Sequence, residues 1–149
     1  VNATKAAIEE GIVPGGGSSL IKAAQKVAES FAKSREKMDA ASRVGYEVVL
    51  KALEMPLRQI AFNAGVDAGV VVDKVKNAKG NAGYDALNDV VIEDMLAAGI
   101  IDPLKVARTG LERAASAAAM LLTTEVAIAD EPKDEKTPAG GETMGGEDY

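Results

Sequence analysis

The chain has 149 residues, enough for one domain with a sizeable core, and 47% of them are hydrophobic while only 3% are aromatic. It contains neither cysteine nor histidine, which excludes disulfides, thiol catalysis, a serine–histidine triad and the usual zinc sites. The net charge is −6, and the segment 130–149 holds seven acidic residues against Lys133 and Lys136, so the body is close to neutral and offers no basic groove for nucleic acid.

In chain order, residues 1–10 read as the last turns of a helix, with Ala3, Ala6 and Ala7 on one face and Gly11 as a left-handed cap. That charged start is no signal peptide, and without an initial methionine the chain is expected to be a piece of something larger. Three consecutive glycines follow in "IVPGGGSSLIKAA" (12–24). Ser18 or Ser19 caps the next helix, whose apolar stripe is Leu20, Ile21, Ala24, Val27, Ala28 and Phe31. After a charged connection at 33–39, Ala41, Val44, Val48, Ala52 and Met55 mark another helix. Pro56 starts a further one, which closes at Gly65.

Asp67 is placed to cap a short helix over 69–77, although Val70, Val71 and Val72 leave a strand possible. The segment "AKGNAGYDA" (78–86) is a loop or tight hairpin. The spacing in "NDVVIEDMLAAG" (88–99) predicts a helix closed by Gly99. A long helix follows over 100–125, with Asp102 as N-cap and Pro103 as its first residue. Its apolar stretch at 114–129 is interrupted by polar residues and falls short of the roughly 20 residues of a membrane span. "EVAIAD" (125–130) alternates as a strand, without an obvious partner in the chain. The division is a folded body at 1–130 and a disordered acidic tail at 131–149.

Four features carry chemical possibilities, each beside a plainer reading. The glycines admit close approach of an anion or flat ligand to the backbone, or simply join two helices; they have neither the Walker nor the dinucleotide spacing. Asp102 is suited to accept two ribose hydroxyls, or starts a helix. The "GYDAL" stretch (83–87) is able to lie against a planar base, or is a turn. Glu9 and Glu10 are candidate acids, or a solvated helix face.

Taken together, "ATKAAIEEGIVPGGG" (3–17), "PLRQIAFNAG" (56–65), "GYDA" (83–86), "AAGIIDPLKVAR" (97–108) and "AASAAAMLLTTEVAIADEPK" (114–133) resemble the C-terminal part of group I chaperonins, the GroEL type. The resemblance spans essentially the whole chain and implies a mainly α fold. That fold is the C-terminal half of the helical equatorial domain, with a small β-hairpin, one late β-strand and a disordered tail. It implies ATP or ADP as ligand, with Gly16 approaching the nucleotide, Gly15 and Gly17 shaping the turn, and Asp102 on the ribose. Asp85, Ala86, Leu87 and Ile100 would line the adenine end, Asp85 standing where the family often has Asn.

The resemblance further implies an ATP-driven chaperone of homo-oligomeric double rings that meets a small co-chaperonin and unfolded polypeptides through regions outside this chain. The phosphate loop, the catalytic carboxylates and the ligands for Mg and K ions would lie outside it too, so the piece alone is expected not to hydrolyse ATP. No nucleic acid or membrane partner is expected, and the absence of cysteine fits a cytoplasmic setting. The competing reading is a non-catalytic helical interaction module with an acidic tail, in which Gly16 and Asp102 have no reason to be neighbours.

Overall fold

The structure, a computed structural model, describes residues 1–129. Six helices and four three-residue strands make up the fold: α1 Asn2–Glu10, β1 Ile12–Pro14, α2 Ser18–Ser34, α3 Ala40–Ala52, α4 Met55–Asn63, α5 Ala68–Asn77, β2 Gly83–Asp85, β3 Val90–Ile92, β4 Ile101–Pro103 and α6 Leu104–Leu122. The fold is mainly α, as the sequence implies, with two small antiparallel strand pairs.

Local chemistry accounts for the helix ends. Asp39 caps α3, accepting from the Ser42 amide at 2.9 Å and the Ser42 hydroxyl at 2.7 Å. Pro56 lies in the first turn of α4, where its missing N–H costs no hydrogen bond. Gly65, at φ 77°, ends that helix, and the Val66 amide turns back to the Ala61 carbonyl at 3.1 Å. Asp67 caps α5 through the Gly69 and Val70 amides at 2.7 and 3.1 Å, which settles residues 69–77 as helix despite their valines. Lys22 of α2 donates to the Val75 carbonyl at 2.7 Å and to Ala78, neutralising the carbonyl end of α5. Burial lowers the pKa of its ammonium.

The core joins α2, α4, α5 and β2 through Ile21, Leu57, Ala61, Val71, Val72, Val75 and Tyr84. By contrast α1, α3 and α6 bury no residue completely. Phe31 stacks on Tyr46 with ring centroids 5.1 Å apart, tying α3 to α2. Ion pairs Lys105–Glu9 and Arg108–Glu10 hold α6 to α1. Glu9 and Glu10 are therefore partnered surface groups, as their plainer reading has it.

Three expectations are corrected. Residues 88–99 are not a helix: Asp89 takes φ 52°, and β-branched Val90, Val91 and Ile92 then pair with the strand Gly83–Asp85. Asp102 is not a helix cap: Ile101–Pro103 forms β4, and α6 starts at Leu104 behind Pro103 with no side-chain cap. No serine caps α2 either, because left-handed Gly17 stands at that position and Ser18 is the first helical residue. Residues 125–129 form no strand here, and Val126 and Ile128 are exposed; the late strand is expected to pair outside this chain, so its formation is not tested. The expected tail at 131–149 lies outside the described residues.

Candidate functional site

The β1–β4 pair builds the site. Its register sets Ile12 against Pro103, Val13 against Asp102 and Pro14 against Ile101. The pairing continues as the Gly15 amide donates to the Ile100 carbonyl at 2.9 Å, and the Leu104 amide donates to the Gly11 carbonyl at 3.0 Å. The glycine turn and the 100–102 segment are thereby side by side, far apart as they are in sequence.

The three glycines serve different ends. A Cβ on Gly15 would fall 3.1 Å from the Ile100 and Ile101 backbone, so glycine is needed for the bridge itself. Gly17, at φ 77°, packs against α4, where a Cβ would lie 2.9 Å from the Leu57 amide nitrogen. Gly16, at φ 64°, has only the Tyr84 carbonyl oxygen and Met95 Cε near its missing side chain, both at 3.6 Å. It is half-buried between two buried neighbours, and is the least enclosed member of the run.

Through that Tyr84 carbonyl the β2–β3 hairpin joins the turn, and Asp85 is the next residue. Asp85 accepts from the Leu87 amide at 2.9 Å and from the Asn88 side-chain amide at 2.7 Å. These bonds, that of Asn88 foremost, hold its carboxyl below the usual carboxylate range. Ala86 and Leu87 occupy the exposed hairpin turn, Leu87 being 91% exposed. Tyr84 is buried and donates its hydroxyl to Asp89 at 3.0 Å. Burial first, then this bond, raises its pKa.

Asp102 is half-buried, and its carboxylate makes no capping hydrogen bond to α6. A carboxylate on the strand paired with the segment that leads into the glycine turn is chemically able to accept from hydroxyl groups. A separate cleft of about 670 Å³ between α2 and the 78–81 loop is lined by Pro14, Ser19, Lys22, Lys26 and Lys79 among others, and by none of the glycines 15–17, Asp85, Ile100 or Asp102.

Sequence reasoning assigned Gly15, Gly16, Gly17, Asp85, Ala86, Leu87, Ile100 and Asp102; the fold pairs the glycine segment with 100–102 through Gly15–Ile100, while Asp85, Ala86 and Leu87 lie on the separate β2–β3 hairpin. That reasoning missed Tyr84, Met95 and Ser18, which are buried behind the turn. No local sequence pattern marks them, because each is placed by contacts between segments distant in the chain.

Residues 1–132 match the TCP-1/cpn60 chaperonin family, and the chain belongs to that family. Its fold is similar to the open-state monomer of a group II chaperonin from Methanococcoides burtonii, with a TM-score of 0.67 and 24% sequence identity. That match covers 76% of this chain and 28% of the other, so the chain spans little more than a quarter of that relative's length. Among the described residues, no helix is long and apolar enough to cross a membrane.

Proposed function

We propose that this chain is the C-terminal half of the ATP-binding equatorial domain of a group I-type chaperonin, a ring-forming, ATP-driven assistant of protein folding. In this role it provides the adenosine side of the nucleotide pocket. Asp102 accepts the ribose hydroxyls, the bare backbone at Gly16 lies against the nucleotide, and Asp85, Ala86, Leu87 and Ile100 flank the base. The observation that carries the reading is the β1–β4 bridge, which sets the Asp102 strand beside the glycine turn. A stand-alone interaction module gives no reason for that adjacency.

Phosphoryl transfer is driven by positioning and by charge stabilisation around the phosphates and metal. In the whole protein Mg and K ions would supply that charge, held by groups outside this chain. What this chain's residues do is bind and orient the nucleoside. The 149-residue piece alone therefore shows no magnesium-dependent ATP turnover, and measurable turnover by the purified piece would contradict the division of labour.

In the full-length ring, Asp102→Ala should weaken ATP binding about tenfold or more, the loss expected for hydrogen bonds to a charged group. Equilibrium titration with ATP tests this. An unchanged affinity would remove Asp102 from the pocket.

A further inference from the structure

The turn and the hairpin meet at one buried hydroxyl. Ser18 opens α2 and is fully buried, and among the described residues its Oγ has no hydrogen-bond partner. Gly83 is seated directly against it. A Cβ on Gly83 would collide with Ser18 Oγ, and would lie 2.9 Å from Ser18 Cβ and 2.7 Å from Met95 Cγ. Met95 closes a circuit around the turn: its amide donates to the Asn81 carbonyl at 3.1 Å, and its carbonyl accepts from the Ile100 amide at 2.9 Å. Ile100 in turn accepts from Gly15, whose carbonyl accepts from the Ser18 amide at 3.1 Å.

An orphaned buried hydroxyl is costly, and in a chain so rich in alanine the better helix former would remove that cost. The hydroxyl stands where the two walls of the proposed base site touch: Gly16 on one side, and Gly83, Tyr84 and Asp85 on the other. Resting on the adenosine reading above, we propose that Ser18 is a positioning residue of the nucleotide site. Its hydroxyl sets the gap between the glycine turn and the hairpin. It gains a partner from the hairpin backbone when the hairpin is drawn onto a base. Stability lost in the empty site thus returns as affinity in the filled one.

The test compares wild-type, Ser18→Ala and Asp102→Ala full-length rings, titrated with ADP and with inorganic tripolyphosphate as a base-free probe, and melted without nucleotide. Ser18→Ala should melt no lower than wild type, bind ADP about three- to tenfold more weakly, and bind tripolyphosphate unchanged. Asp102→Ala should weaken ADP alone. If Asp102→Ala weakens ADP but Ser18→Ala does not, the Ser18 proposal is overturned while the pocket stands. Equal weakening of ADP and tripolyphosphate by Ser18→Ala, or a lower melting temperature, marks a merely structural residue and overturns it as well. If Asp102→Ala leaves ADP untouched, the pocket reading fails and Ser18 falls with it.

Discussion

Val13 sits directly opposite Asp102 across the antiparallel bridge of β1 and β4. This pairing makes the glycine turn and the carboxylate neighbours, and it depends on Gly15 donating to Ile100 immediately beyond it. The candidate site thus inherits its geometry from backbone pairing, with Gly16 half-buried and Asp102 half-buried on the paired strand.

Gly17→Ala tests the close contact behind the turn. The new Cβ must adopt a left-handed backbone, costing about 1–2 kcal/mol. It also crowds the Leu57 nitrogen at 2.9 Å, adding about 1–3 kcal/mol of overpacking. Urea unfolding against the wild type should show a clear loss of stability; a loss under about 0.5 kcal/mol would mean that α4 does not press on the turn.

Glu54 predicts an acid sensitivity. It pairs with Lys76 of α5 and, at 2.8 Å, with Arg58 of its own turn; Lys76 first, then Arg58, lowers its pKa below 4.5. A depressed carboxyl stabilises the fold above its unfolded pKa, and that stability is lost as pH falls through the lower folded value. Melting temperature should drop below about pH 4.5, and Glu54→Gln should flatten that part of the profile. At neutral pH the same change should cost about 1–3 kcal/mol. A wild-type slope retained in Glu54→Gln would point to other carboxylates.

Much of this fold was legible in the sequence, and the losses have a common cause. Asp67, Pro56 and Gly65 mark helix ends by local chemistry, and each acts where its residue type indicates. The β1–β4 bridge consists of two three-residue strands with non-local pairing, which no local pattern reveals. Asp102 before Pro103 has the form of a helix start, so the strand it belongs to was hidden. The apolar spacing of 88–99 fits a helix until Asp89 adopts a left-handed conformation. Glycines 15, 16 and 17 looked alike, and only packing separates the bridge, the open face and the α4 contact.

The hairpin carries an alkaline counterpart. Burial, reinforced by the bond to Asp89, raises the Tyr84 pKa above 10. A raised folded pKa contributes stability below the unfolded value that is lost as pH rises through the folded one. Stability should therefore fall above about pH 10. Asp89→Asn keeps an acceptor and tolerates the left-handed turn, so it should be near neutral in stability while lowering the Tyr84 pKa. Spectrophotometric titration of the tyrosines measures this, and an unshifted Tyr84 would deny the contact.

The pairing of Asp102 with ribose hydroxyls is tested most directly by a four-way titration: wild-type and Asp102→Ala full-length rings, each with ATP and with 2′,3′-dideoxy-ATP. If Asp102 holds the ribose, ATP affinity falls about tenfold or more on substitution, while dideoxy-ATP binds both rings equally and about as weakly as ATP binds the variant. Equal loss for both nucleotides, or loss for neither, would contradict a carboxylate–ribose contact.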